Sequence, residues 1–189
     1  MSKSLIAVIK IALAVATIIF SARFNYSLQV GEMIVPITGQ SLAVLCWAVF
    51  MRPQESVTAV LVYILIGVYA LPVFANESQG MEVLMGPTGG YLVGFLLASL
   101  VVSWIRDPYR KENPFSILIL MIVGTAIILI SGLIRLSVLL GFETSLESGL
   151  YNLWQGAVAK ILVGTVICYI IHLIVRATQK KEVKENYTV

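Results

Sequence analysis

The sequence predicts an all-α membrane protein with six transmembrane helices, forming one domain over residues 1–189. The chain is 59% hydrophobic and 12% charged, and its mean hydropathy is +0.94. A soluble domain carries about 25% charged residues. Apolar runs of the roughly 17–25 residues that a membrane-spanning helix needs recur along the chain. Because the alternation of a barrel strand is absent, helices are the only spanning option.

The six predicted helices cover residues 4–22, 37–51, 56–73, 89–105, 114–140 and 153–175. The first has the charge layout of a signal peptide, with Lys3 and Lys10 ahead of apolar residues. No convincing small-residue cleavage site follows, so we interpret it as a retained helix. The second helix is short, and we expect residues 31–39 before it to be partly re-entrant.

The charges predict that both termini are cytoplasmic. One set of loops and the two termini contain most of the positive charge: Lys3, Lys10, Arg52, Arg106, Arg110, Lys111, Arg176, Lys180, Lys181 and Lys184. The opposite loops contain Arg23 and the glutamates Glu32, Glu77, Glu82, Glu143 and Glu147. Cytoplasmic loops are the positive ones, and the even number of helices agrees. The basic tail is interpreted as a topology determinant that touches anionic membrane lipid, and no nucleic-acid site is expected.

Lys160 lies inside an uncharged apolar run, residues 158–168, in the last predicted helix. An ammonium group in hydrocarbon is costly and usually meets a partner in the protein interior. No Asp or Glu lies in the predicted helices, so a ligand carboxylate is the simplest partner. At about 1.5 Å per residue, Lys160 lies roughly 10 Å below the outer boundary. The alternative is that its side chain reaches the interface, and the same alternative holds for Arg135.

A polar turn is predicted at the outer start of the fourth helix. It consists of Gly86, Pro87, Thr88, Gly89, Gly90 and Tyr91. Its glycines allow close backbone approach, and free N–H groups at a helix start can meet a ligand acceptor. Tyr91 adds a flat apolar surface with one hydroxyl. The same residues would equally serve as a helix-entry turn with small side chains for packing.

Two further polar clusters lie at predicted outer helix starts. Thr38 and Gln40 can donate and accept hydrogen bonds, as a neutral polar ligand requires, although Thr38 would equally cap its helix. Tyr151, Asn152 and Gln155 lie above Lys160. Tyr151 and the neighbouring Trp154 would equally suit the membrane interface.

Few residues support catalysis or a metal site. Asp107 is the only aspartate and His172 the only histidine, and both are predicted far from the outer clusters. An enzyme would need a nucleophile and base, or paired carboxylates, in one pocket, so no enzyme is predicted. The spacing of Cys46 and Cys168 suits neither a metal site nor a disulfide framework, which leaves two apolar core thiols. No cofactor is expected.

Ala12 and Ala16 form a smooth stripe on the first helix, with Ala14 off that face. Small residues four apart allow close helix contact. Packing within the protein and docking of a partner helix are both open.

Taken together, these clusters resemble the BioY family, the biotin-specific substrate-binding (S) components of energy-coupling factor (ECF) transporters. The resemblance rests on residues 35–44, 67–75 and 86–95, and on the late Lys160. It therefore extends over most of the chain in order, and the 86–95 string is its most specific part.

The resemblance implies an S-component fold with a vitamin pocket near the outer face. Thr38, Gln40, the 86–91 turn, Asn152 and Lys160 are the pocket positions it implies. The stripe of Ala12 and Ala16 resembles the feature that docks S components on a coupling transmembrane (T) component. That component works with two cytosolic ABC ATPases. Many family members carry an acidic residue three positions before the lysine, where this chain has Ala157. The role of that acidic residue therefore cannot be assigned to this chain.

Biotin is therefore the expected ligand, with its carboxylate at Lys160. The polar ends are assigned to Asn152, Gln40 and Thr38, and the 86–91 turn lines the body of the ligand. Trp47, Phe74 and Trp154 are expected apolar walls. The alternatives are an S component for another small vitamin and a structural membrane protein without transport. Because no Gly-rich nucleotide loop is present, energy must come from partner subunits.

Overall fold

Helices form most of the protein, as predicted, and one short β-hairpin joins the first two. The computed structural model describes residues 2–30, 33–106, 113–146 and 151–187. The long helices are α1 (Lys3–Ala22), α2 (Gln40–Phe50), α3 (Pro53–Tyr69), α5 (Gly89–Ile105), α6 (Pro114–Leu140) and α8 (Tyr151–Tyr187). The short elements are β1 (Asn25–Val30), β2 (Met33–Thr38), a 3-10 turn (Ala75–Glu77), α4 (Met81–Met85) and α7 (Phe142–Thr144).

Local capping explains where several helices begin. The Ser2 hydroxyl accepts a hydrogen bond from the Leu5 N–H at 3.2 Å at the start of α1. The Asn113 side chain accepts from the Ser116 N–H at 2.7 Å before α6. Such side chains satisfy N–H groups that have no partner inside the helix. Proline occupies the first position of both α3 and α6, where its missing N–H has no cost.

The hairpin differs from the predicted start of the second helix. Strands β1 and β2 pair in antiparallel register from Asn25 opposite Thr38 to Val30 opposite Met33. Helix α2 therefore begins at Gln40 instead of residue 37. Residues 33–38 are apolar and extend the hydrophobic run, but they are rich in β-branched residues, which favour strands. The expected re-entrant segment falls partly on this strand, and residues 31 and 32 lie outside the described residues.

Two other predicted helices have different ends. Helix α3 ends at Tyr69 instead of residue 73, because Leu71 precedes Pro72 and a residue before proline disfavours the α conformation. Helix α8 continues to Tyr187, well past the predicted end at 175. Its last turns are rich in Lys and Glu, which are good helix formers but give no hydrophobic signal.

Three described helices are long and apolar enough to cross a membrane: Ser4–Ala22, Pro114–Leu140 and Gly156–Thr178. Three more described helices are apolar but shorter: Gln40–Phe50, Pro53–Tyr69 and Gly89–Ile105. The helical, membrane-type fold is thus confirmed. Six spans and the orientation of the termini stay predictions.

The core lies where α5 packs between α2, α3 and α6. Glycines permit this packing: a Cβ at Gly94 would lie 2.9 Å from Ile128 Cα, and one at Gly124 would lie 2.2 Å from Leu45 Cδ2. On α1, Ala14 is fully buried, whereas Ala12 and Ala16 are exposed. The stripe therefore does not pack within the described part of the protein.

Candidate ligand-binding site

A cavity of about 410 Å³ lies between the end of the hairpin, α2, α5, α6 and α8. This volume falls in the range of about 300–1,000 Å³ typical of small-molecule pockets. Its apolar sides include Val83, Leu92, Phe95, Ile128 and Leu129, and its polar lining consists of Thr38, Gln40, Ser41, Asn76, Ser78, Glu82, Thr88, Tyr91, Thr125 and Lys160. Apolar surface with a few placed polar groups is the usual form of a ligand site.

Lys160 lines this cavity, as predicted, and is half-buried. Its Nζ donates to the Ser41 Oγ at 3.1 Å. The ion pair found among the described residues joins Arg23 and Glu77, so Lys160 has no carboxylate partner in the described part of the chain. Among the described residues, its ammonium therefore meets a hydroxyl. Ser41 was missed by the sequence analysis, although it adjoins the predicted residue Gln40.

Thr38 and Gln40 lie together at the cavity and bind each other. The Thr38 hydroxyl donates to Gln40 Oε1 at 2.9 Å and accepts from the Gln40 backbone N–H at 3.3 Å. Gln40 Nε2 in turn donates to the hydroxyl of Tyr63, a buried residue of α3. Thr38 thus lines the cavity and also holds the first residue of α2. An amide has two N–H donors, and this network uses one of them.

The 86–91 turn divides into residues that line the cavity and residues that do not. Gly86, Pro87, Thr88 and Tyr91 line it. Gly89 and Gly90 were predicted to line it and do not, because neighbouring protein occupies the space beside them. A Cβ at Gly89 would lie 1.8 Å from the Leu84 carbonyl oxygen. Both glycines permit a close approach, and the group that approaches them in this structure is protein.

Tyr91 packs its ring against α6 at Gly132. A Cβ at Gly132 would lie 2.2 Å from Tyr91 Cε1, so only glycine leaves room for this ring. The Tyr91 hydroxyl is buried and has no hydrogen-bond partner in the described part of the protein. Most buried polar groups are hydrogen-bonded, so this hydroxyl is a candidate for contact with a ligand.

Arg135 of α6 binds the start of the turn without lining the cavity. Its guanidinium donates to the Met85 carbonyl and, through Nε, to the Gly86 carbonyl at 3.3 Å. The sequence predicts only that the Arg135 side chain could reach the membrane interface. These two acceptors precede it by about fifty residues, and no local pattern indicates them.

The three aromatic residues predicted as walls do not line this cavity. Trp47 donates through Nε1 to the Thr17 hydroxyl at 2.6 Å and joins α2 to α1. Phe74 is buried edge-on against Tyr63, with ring centroids 5.6 Å apart. Trp154 is 49% exposed. None of the three lines the described cavity, whose aromatic members are Phe95 and Tyr91.

Asn152 belongs to the first turn of α8, but its side chain lies outside the described residues. The same holds for Tyr151 and Gln155. The third predicted cluster thus stays a prediction.

A loop that the sequence analysis did not single out closes one side of the cavity. It contributes Ala75, Asn76 and Ser78, and both Asn76 and Glu77 have φ of +55°. The left-handed region is uncommon for residues other than glycine, and such strain clusters at functional sites. Glu77 is held by its ion pair with Arg23.

Comparison with known proteins gives one consistent result. The model of the BioY family matches residues 1–182. The probable biotin transporter BioY of Rickettsia prowazekii is 31% identical over 156 residues, which cover 82% of this chain and 78% of that protein. Biotin transporter BioY2 of Lactococcus lactis is 37% identical over 99 residues, covering 52% and 54% of the two chains.

The fold is similar to that of a solved protein. The crystal structure of the S-component for biotin from an ECF-type ABC transporter matches with a TM-score of 0.79. The match covers 90% of this chain and 94% of that chain, at 22% sequence identity. This likeness concerns the fold.

Proposed function

Because the chain belongs to the BioY family, we propose that it is the biotin-binding S component of an ECF-type importer. It captures biotin at the outer face of the cell membrane and delivers it for uptake. The observation that carries this proposal is the cation in the cavity: Lys160 reaches Ser41 and forms no ion pair with a described carboxylate, although Glu82 also lines the cavity. An anionic ligand would supply the missing charge.

Biotin has the chemistry that this cavity complements. It carries a carboxylate, an apolar chain and ring, and a neutral ureido group with N–H donors and a carbonyl acceptor. Lys160 pairs with the carboxylate, because an opposite charge offsets the cost of keeping an ammonium away from water. The apolar sides formed by Leu92, Phe95 and Ile128 cover the chain and ring.

The ureido group is assigned to the remaining polar groups of the cavity. Gln40 keeps one amide N–H beyond its bond to Tyr63, and this donor suits the ureido carbonyl. The unpartnered hydroxyl of Tyr91 and the lining residue Thr88 are further contacts. Asn152 keeps its place in this assignment on the basis of the family resemblance alone.

The proposed topology has six spans, with both termini in the cytoplasm. The three shorter apolar helices complete the six, and the excess of Lys and Arg in one set of loops sets the direction. In that orientation the cavity opens toward the outside, where biotin arrives.

The proposed partners are a transmembrane T component and two cytosolic ABC ATPases. Ala12 and Ala16 are exposed on α1, as a docking stripe requires, because small side chains let another helix approach closely. The chain contains no nucleotide-binding loop, so the partners supply the energy for transport.

Direct binding tests this proposal. The protein is purified in detergent, any small molecule that it carries is identified by mass spectrometry, and the emptied protein is titrated with biotin and with other vitamins. We expect biotin to co-purify and to bind more tightly than the rest. Tighter binding of another vitamin would favour an S component of different specificity, and no vitamin binding would refute the proposal.

A further inference from the structure

Arg135 connects α6 to the end of the short helix α4. Its guanidinium donates to the carbonyls of Met85 and Gly86, the last residue of α4 and the one after it. The last carbonyls of a helix have no partner inside the helix, and the negative end of the helix dipole favours a cation. Arg135 therefore fixes the point where the chain leaves α4 and enters the cavity wall.

Two glycines make this contact possible. A Cβ at Gly90 would lie 2.5 Å from Arg135 Cβ and 2.5 Å from the Ser131 carbonyl oxygen. The absence of a side chain at Gly90 thus lets the stem of Arg135 pass over the first turn of α5. One turn earlier on α6, Gly132 receives the ring of Tyr91 in the same way. The outer end of α6 and the 86–91 turn are fitted to each other.

The wall of residues 86–88 has few other fixed points among the described residues. Thr88 Oγ1 donates to the Val83 carbonyl at 3.4 Å, and the Gly89 N–H donates to the Gly86 carbonyl at 3.3 Å. Both bonds are long and lie within the local segment. The Thr88 carbonyl also accepts from the N–H groups of Tyr91 at 3.0 Å and Leu92 at 3.3 Å in the first turn of α5. Among the described residues, Arg135 is the side chain that ties the start of this segment to α6.

We propose that Arg135 is a positioning residue for the ligand: without lining the cavity, it holds the wall of residues 86–88 in its binding geometry. This rests on the proposed function, since the ligand used to test it is biotin. The wall residues Gly86, Pro87 and Thr88 line the cavity, and Arg135 does not. A loosened wall must be ordered again at each binding event, and that cost reduces affinity.

Two substitutions of Arg135 separate positioning from a general effect of charge. Arg135→Met removes the charge and both hydrogen bonds, and we expect biotin affinity to fall about tenfold or more. Arg135→Lys keeps the charge, but a single ammonium does not reproduce the two-pronged geometry of a guanidinium. The lysine variant should therefore lose most of the same affinity. Wild-type affinity in the lysine variant would overturn the proposal, because charge alone would then suffice.

Gly90→Ala is a second substitution that should disturb the wall of residues 86–88, and Gly94→Ala is its matched control. Both added methyls meet α6 near Ser131, but the one at Gly90 also meets Arg135, whereas the one at Gly94 meets Ile128. Effects of residues that act through one element are not additive. The Gly90→Ala and Arg135→Met losses should overlap in the double variant, and the Gly94→Ala loss should add to that of Arg135→Met. Additive losses in the first pair would contradict the proposal.

Hydrogen exchange of the backbone amides gives a readout that needs no ligand. In full-length protein in detergent, Arg135→Met should speed exchange at the amides of Gly86, Thr88 and Gly89 relative to the β-hairpin. Uniform acceleration across the protein would instead indicate a global loss of stability and would overturn a positioning role.

The binding experiments distinguish failure of the two proposals. If wild-type protein binds no biotin, the proposed function fails. If wild-type protein binds biotin and both Arg135 variants bind it as tightly as wild type, the positioning role fails alone.

Discussion

Replacing Lys160 with methionine removes the positive charge that lines the described cavity and keeps most of the side-chain volume. Opposite unit charges about 4 Å apart attract by about 4 kcal/mol at an effective dielectric of about 20. Removing one partner of a buried pair costs about 3–5 kcal/mol. Because Lys160 is half-buried and Ser41 already accepts one of its hydrogen bonds, the lower end applies. A loss of about 3 kcal/mol weakens biotin binding by about two decades.

The assay is a titration of detergent-solubilised protein, made with biotin and with its uncharged amide. Wild-type protein should bind the amide about two decades more weakly than biotin, because the amide lacks the partner of the ammonium. Lys160→Met should bind both ligands with nearly the same affinity. Lys10→Met is the matched control: Lys10 lies on α1, does not line the described cavity, and its replacement should leave binding unchanged.

Two results would refute this reasoning. Unchanged biotin affinity in Lys160→Met would mean that the ammonium does not meet the ligand. Equal binding of biotin and its amide by wild-type protein would mean that the carboxylate is not paired, even if the substitution weakens binding for another reason.

Three further predictions concern packing, the buried network and partner docking. Gly132→Ala should displace Tyr91, whose ring would lie 2.2 Å from the new Cβ, and overpacking of about 1–3 kcal/mol should lower the unfolding temperature and weaken biotin binding. Tyr63→Phe should leave a Gln40 N–H without its acceptor, costing about 1–3 kcal/mol in thermal unfolding measured without ligand. Ala16→Leu should leave biotin binding intact and reduce uptake in cells that contain the T component and ATPases, because the exposed stripe no longer admits a helix.

Each of these has an outcome that contradicts it. For Gly132, that outcome is an unfolding temperature and affinity equal to wild type. For Tyr63, it is a phenylalanine variant as stable as the parent. For Ala16, it is full uptake, or uptake lost in parallel with binding, since the second result would indicate misfolding instead of failed docking.

The sequence predicted the long helices well because their signal is local. An apolar run between charged or turn residues indicates a span whatever it packs against, so α1, α5 and α6 begin within a residue of their predicted starts. The β-hairpin was not predicted, because residues 33–38 are as apolar as the helix that follows. A hydropathy pattern does not distinguish a short apolar strand from the first turns of a helix.

The candidate site was predictable where one residue carried the signal. A lysine in an apolar run is unusual in any fold, and Lys160 indeed lines the cavity. Its hydroxyl partner Ser41 lies 119 positions away, and such proximity is set by tertiary packing. Gly89 and Gly90 show the limit of local reasoning: the need for close approach was visible in the sequence, but the approaching group was not.

The unbroken course of α8 has a mechanical consequence. Lys160 lies near its start, and the same helix continues to Tyr187, about 40 Å away at about 1.5 Å per residue. A tilt of about 10° about the pocket end would therefore move the far end by about 7 Å. A slight tilt of α8 when a ligand binds in the cavity would thus displace the far end of the helix by more than the length of one helical turn, about 5.4 Å.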